Sequence, residues 1–275
     1  MPRKSFINGF SRPGHEPQFD MTDHLYVISL KRTPHRLEAF LRRNAEALQD
    51  WSVHVLEGVD GSMHQDLFNQ SRLISQNVVN GWTAGAIGSA LSHMLSWRRC
   101  IQLGEPIVVA EDDAILARNL KQELAVILNR NETTSGFLLL GWNLDSLLQA
   151  EILEGLELIS LFEPAYPDET ALGQLVNSSE PRKNRKLKRC FGLPAYRITP
   201  DIATILIEKF NPIVAQRIEM GRGIPTHYSE TLDGLLNNEY EAIDASIVIP
   251  PLALALNVQS ESLTRKQKTA QNFMG

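Results

Sequence analysis

Residues 107–114 read Ile-Val-Val-Ala-Glu-Asp-Asp-Ala. A short apolar run of this kind is the pattern of a buried strand, and here it stops at three consecutive carboxylates, Glu111, Asp112 and Asp113. Side chains alternate between the faces of an extended backbone, so Glu111 and Asp113 are expected to point one way and Asp112 the other. Two carboxylates projecting together from the end of a strand suit a hard divalent cation. An open α/β sheet also binds its ligands at the carboxyl ends of its strands. A cation in that place commonly neutralises the phosphates of a nucleotide leaving group. The bland alternative is a solvated acidic turn.

Just upstream, residues 84–103 carry a helical pattern with Ile87, Leu91, Met94 or Leu95, and Ile101 inward, and Gly104 placed as its stop. Gly85, Gly88 and Ser92 leave one face of this helix almost bare. Each glycine lowers helix propensity by about 1 kcal/mol, so a bare face implies close approach, by a neighbouring element or by a ligand. His93 lies one turn after Ser89 and one before Trp97, so the three share a face.

Further out, residues 24–30 predict a first strand. Thr33 as N-cap and Pro34 as first helical residue open a helix striped by Leu37, Phe40, Leu41, Ala45 and Leu48. A second strand follows over 51–57, closed by Gly58 and the Asp60-Gly61 turn. Strand, helix, strand in that order implies an α/β sheet with a parallel portion. Downstream, the pattern predicts a helix over 118–129, a strand over 137–141, a hairpin or strand over 151–163, and a strand over 191–199. A helix then opens at Pro200, a short helix is capped by Ser229, and a last strand over 245–249 stops at Pro250-Pro251. Residues 1–22 read as an irregular arm, 261–275 as a polar tail, and 62–83 give no firm pattern. Six basic residues between 181 and 189 (Arg182, Lys183, Arg185, Lys186, Lys188, Arg189) read as a solvated loop. Their functional alternative is an electropositive lid over a phosphate-bearing substrate or a contact with an anionic membrane.

With 275 residues, 43% hydrophobic and 21% charged, the chain is long enough for one large α/β domain. A net charge of −5 argues against nucleic acid as a partner. Cys100 and Cys190 lack metal-ligand spacing and read as unpaired thiols of a reducing compartment. No apolar run is long enough to span a membrane and no secretory signal is evident, so a cytoplasmic location is expected, or a peripheral one at the inner membrane face.

Several of these pieces together resemble glycosyltransferase family 25, which builds lipopolysaccharide and lipooligosaccharide outer cores in bacteria and galactosylates collagen in animals. The matching pieces are Val27-Ile28-Ser29-Leu30-Lys31-Arg32 through Arg36, then Gly85 to His93 with Trp97, and Val108 to Ala114. Leu139-Leu140-Gly141, Phe191-Gly192, Ala195 to Ile198, Asp233 and Pro250-Pro251-Leu252 complete the order. The family's aspartate- and arginine-rich turn is Lys-Arg-Thr-Pro-His-Arg here. The resemblance implies a single GT-A-type α/β domain, a mixed and mostly parallel central sheet flanked by helices, a uridine-diphosphate sugar donor, manganese or magnesium, and inversion at the anomeric carbon. The implied acceptor is a glycan or lipid-linked glycan.

On that basis Asp113 is the expected metal ligand, with Glu111 a second ligand or a ribose contact. Asp112, on the opposite pleat, is a donor-site residue or a partner for local backbone donors. Ser29, Arg32 and Arg36 are expected at the nucleotide base and phosphates, and Gly85, Gly88, Ser89 and His93 along the donor site. Asp233 is the expected catalytic base, with Glu230 its runner-up. Two other classes remain open at this stage. One is a metal-dependent phosphohydrolase or nucleotidyltransferase, and the other a nucleotide-sugar-binding protein without catalysis.

Overall fold

In the computed structural model, which describes residues 22–64, 68, 70–129, 135–161, 165–220, 224 and 226–257, the opening unit forms as expected. It comprises β1 (His24–Ser29), α1 (Pro34–Arg43) and β2 (Ser52–Glu57), with β1 and β2 parallel. Next come α2 (Gln76–Gly81), α3 (Ala84–Leu103), β3 (Ile107–Glu111), β4 (Ala114–Leu116), α4 (Leu120–Asn129) and β5 (Phe137–Leu139). A hairpin, β6 (Leu147–Leu153) and β7 (Leu156–Leu161), precedes α5 (Glu169–Val176), β8 (Lys183–Cys190), β9 (Ala195–Ile198) and α6 (Pro200–Lys209). The chain closes with β10 (Arg217–Ile218), β11 (His227–Tyr228), α7 (Leu232–Leu236), β12 (Ser246–Ile249) and β13 (Ala253–Ala255).

Among the described residues, nine strands make one mixed sheet in the order β2-β1-β3-β9-β5-β12-β8-β6-β7. β2, β1, β3, β5, β12 and β6 run one way, and β9, β8 and β7 the other. This is the expected single α/β unit with helices flanking a mixed sheet. One face packs against α3, whose Trp97 is fully buried beside Phe210, with Tyr196 stacked on Phe137 at 5.0 Å. Burying each such large side chain stabilises the fold by about 1.5–3 kcal/mol. On the other face α1 lays Phe40, fully buried, toward β1 and β4. Because successive residues of a strand face opposite ways, a strand between α1 and α3 can serve a partner on each.

Helix α3 runs over the expected span and ends at Gly104, whose φ of 71° is the left-handed conformation of a helix stop. Several local expectations are corrected. Thr33 precedes α1 but its hydroxyl donates to Leu30 O instead of capping the helix. Ile101 is exposed, and Cys100 beside it is the fully buried residue of that last turn, its Sγ donating to Ile198 O. The short helix near the C-terminus is capped by Thr231, which accepts from Gly234 N, and Ser229 Oγ instead accepts from Gln216 N.

The basic run is not a loop. It is β8, inside the sheet between β12 and β6, with Leu187 and Cys190 buried. Ion pairs make that placement tolerable: Arg182 reaches Glu123, Lys188 reaches Glu157 and Glu241, and Arg189 reaches Glu241. The arm over 1–22 and the tail over 261–275 lie outside the described residues, Thr22 excepted. No helix of the described residues is long and apolar enough to cross a membrane.

Candidate active site

Parallel pairing sets Ile28 opposite Glu111, so the carboxyl ends of β1 and β3 lie side by side. β9 is antiparallel to β3 and therefore begins at the same edge, where Glu111 N donates to Pro194 O at 3.0 Å. A second, two-stranded sheet of β4 and β13 carries the chain's later segment to that edge, and Leu256 N donates to Asp113 O at 3.0 Å. A cleft of about 860 Å³ opens there. Ser29, Arg32, Arg36, Gly85, Ser89, His93, Glu111, Asp112, Asp113, Glu230 and Asp233 all line it.

β3 ends at Glu111, and Asp112 and Asp113 occupy the turn before β4, so strand alternation holds for only part of the trio. Asp112, 7% exposed, turns to the α1 side. Its Oδ2 accepts from Ser29 Oγ at 2.7 Å and its Oδ1 from Arg36 Nε at 2.8 Å and Nη2 at 2.6 Å. The donors it satisfies are thus side chains from β1 and α1, not the local backbone, and both of its oxygens are occupied. Ser29 and Arg36 accordingly hold the acidic turn before they hold anything else.

Arg36 Nη2 also lies 3.4 Å from Asp113 Oδ2. Asp113 Oδ1 is buried and has no hydrogen-bond partner. Burial first, then the negative charge of Glu111, pushes the Asp113 carboxyl up to about 7, with Arg36 pulling the other way. A buried acceptor without a partner costs about 1–3 kcal/mol, a cost that a ligand for that oxygen would relieve.

Glu111 turns to the α3 side. His93, 1% exposed, places Nε2 at 3.2 Å from Glu111 Oε1 and Nδ1 at 3.0 Å from Tyr196 Oη. The bare face of α3 divides between two uses. Gly85 and Ser89 line the cleft. Gly88 does not. A Cβ there would sit 2.4 Å from Val59 O, and Ser92 Oγ accepts from Val59 N at 2.8 Å, so this part of the face admits the turn after β2. The donor-site role expected of Gly88 is replaced by packing.

On the opposite wall, Asp233 Oδ2 accepts from Gly192 N at 2.7 Å and Oδ1 from Gly234 N at 3.0 Å. Gly192 has φ of 90°, and a Cβ there would meet the Asn143 side chain at 2.4 Å, so only glycine permits this donor. Glu230 is exposed at the rim. Arg32 is ion-paired with Asp60, another residue of the cleft. Sequence patterns had not pointed to Asp60 as a lining residue, nor to Arg43, Asn143, Asp145 or Asn257. They come from four segments, Asn143 and Asp145 sharing the one between β5 and β6, and only the topology gathers them.

Hard oxygens of Asp113 and Glu111, one of them buried without a partner, fit a magnesium or manganese ion. Among the described residues no group of three or more His, Cys, Asp and Glu side chains forms a closed metal cage. Magnesium-type sites commonly have one or two carboxylates, with substrate phosphate and water completing the shell, and this donor set matches them.

The family model for glycosyltransferase family 25 (LPS biosynthesis protein) matches residues 22–220. A Bos taurus protein named "Probable inactive glycosyltransferase 25 family member 3" is 31% identical over 134 residues, which cover 44% of this chain and 22% of that one. The match thus takes in less than a quarter of that relative's length. Among solved structures, the inositol-1-phosphate CTP transferase from T. maritima aligns over 86% of this chain and 89% of its own at 12% identity, with a TM-score of 0.40.

Proposed function

The chain belongs to glycosyltransferase family 25, and from that premise we propose a metal-dependent, inverting transfer of a sugar, galactose or a relative, from a uridine-diphosphate donor to a glycan hydroxyl such as one of lipopolysaccharide core. The supporting observation is the buried, unpartnered Oδ1 of Asp113 in a cleft whose near wall carries Arg32 and Arg36. Asp113 and Glu111 would hold the ion, which when bound supplies charge neutralisation to the departing diphosphate. Thr83, Gly85 and Ala86 bring the N-terminal end of α3 to the same cleft, where its positive dipole end favours an anion. Asp233, held by two backbone amides, accepts the proton of the acceptor hydroxyl as that oxygen bonds to the anomeric carbon and the sugar–phosphate bond breaks. Glu230 is the second choice for that base. Inversion by direct displacement needs no covalent nucleophile, and both cysteines are buried.

The test is a thermal-shift screen of nucleotide sugars with and without manganese. Binding to the native state raises Tm by mass action, so a manganese-dependent rise with a uridine-diphosphate sugar, lost in Asp113→Ala, is the expected outcome. No rise with any nucleotide sugar would overturn the reading. Nucleotide turnover at full rate without acceptor would turn it toward a phosphohydrolase. On β8, Lys183 and Lys186 are exposed and are the side chains on which a peripheral contact with an anionic cytoplasmic membrane face would rest. Flotation with anionic vesicles, compared with Lys183→Glu/Lys186→Glu, tests it.

A further inference from the structure

Beneath Glu111 lies a buried polar network whose members come from two elements. His93, Ser96 and Trp97 belong to α3, and Tyr196 to β9. Trp97 Nε1 donates to Tyr196 Oη at 2.9 Å, and Ser96 Oγ donates to His93 O at 2.7 Å while lying 3.3 Å from Tyr196 Oη. All four side chains are buried.

Counting hydrogens narrows what this network can do. The indole N–H only donates, so Tyr196 Oη is an acceptor toward Trp97. The hydroxyl hydrogen of Ser96 is engaged with His93 O, so Ser96 Oγ can only accept from Tyr196. The phenol hydrogen therefore goes to His93 Nδ1 or to Ser96 Oγ. In the first arrangement Nδ1 accepts and His93 carries its hydrogen on Nε2; in the second Nδ1 donates to Tyr196 Oη, and an ionised Glu111, which only accepts, requires a hydrogen on Nε2 as well. Both arrangements aim an N–H at Glu111 Oε1, which as a carboxylate oxygen can only accept. One oxygen of Glu111 is thereby fixed to the protein, and Oε2 is left for a ligand.

Resting on the cation reading of this cleft, we infer that His93 is a positioning residue: through the Nε2 hydrogen bond, braced by Tyr196, it fixes Glu111 as a one-oxygen ligand beside Asp113. His93 then acts without touching donor, acceptor or ion. Partners of this kind, a shell behind the ligands, typically contribute 10–100-fold to metal affinity. Ligand orientation is the physical cause, since a glutamate free to rotate must be ordered each time an ion binds.

The experiment is a calorimetric titration of manganese into the protein with uridine diphosphate present, which requires no turnover. His93→Leu is expected to weaken manganese binding about 10–100-fold, and His93→Gln, which retains an N–H donor, to recover most of it. In a Glu111→Ala background, His93→Leu is expected to add little, because a residue acting through Glu111 is non-additive with it. Additive losses, or wild-type manganese affinity in a folded His93→Leu protein, would overturn the inference while leaving the cation site standing. If the wild type itself binds no manganese with uridine diphosphate, the cation reading fails and the inference falls with it. Should His93→Leu not fold, Tyr196→Phe takes its place. It removes only Oη and is expected to weaken manganese binding several-fold, and an unchanged affinity there overturns the bracing role of Tyr196.

Discussion

A carboxyl group with one oxygen buried and unsatisfied is comfortable as the neutral acid or beneath a cation, and Asp113 is in that position. Its pKa is about 7 in the folded protein against 3.8 for the ordinary side chain. Between those values the folded state binds more protons than the unfolded one, so stability falls as pH rises from about 4 toward 7, and the cost is fully present above that. The metal-free protein should therefore melt lower at pH 8 than at pH 5.5 by this contribution. Asp113→Asn should flatten that dependence and raise Tm at pH 8 by about 2–4 °C, readable by scanning calorimetry in chelator. Asp233→Asn tests the base: kcat is expected to fall about 10²–10⁴-fold with donor affinity unchanged, since the amide oxygen still accepts from Gly192 N while only the bond from Gly234 N is given up. The acidic trio and the opposed facing of Glu111 and Asp112 were legible at this scale. The clamp of Ser29 and Arg36 on Asp112 was not, because partners 83 and 76 positions apart leave no mark in a local pattern.

Among the elements, α3 reconciles two demands on one bare face, approach by the turn after β2 at Gly88 and by the cleft at Gly85 and Ser89. Gly88→Ala would press a methyl against the Val59 carbonyl, a backbone atom that moves only if the turn moves. The expected result is a Tm lower by about 4–8 °C, measured by thermal denaturation, corresponding to about 2 kcal/mol of overpacking. Helix spans with strong periodicity, α3 and α4 above all, were readable from the sequence to within a residue or two. β8 was not. Its run of charges has the composition of a solvated loop, and what permits it in a sheet is Glu241, Glu157 and Glu123, all brought in from other segments. Composition reports what a segment carries; a strand inside a sheet is decided by who stands opposite.

Across the whole molecule, the opening β1-α1-β2 unit and the α/β class followed from element order, while the strand sequence β3-β9-β5-β12-β8 did not. Long-range pairings of this sort are chosen by the summed burial of all faces, which no single window contains. The cleft inherits this property, since its walls come from residues near 30, 60, 90, 112, 144, 192, 232 and 256. The strap formed by β13 has a consequence in time. Asp113 is made early, yet its carbonyl waits for Leu256, and Asp233 also lies past residue 220, where the family match ends. On a ribosome, then, the sheet's first strands can pair long before the cleft exists, and the acidic turn is fastened only once Leu256 has been added. On the proposed function, a chain truncated after Pro251 should lack manganese-dependent nucleotide binding, read by thermal shift, while retaining helical circular dichroism.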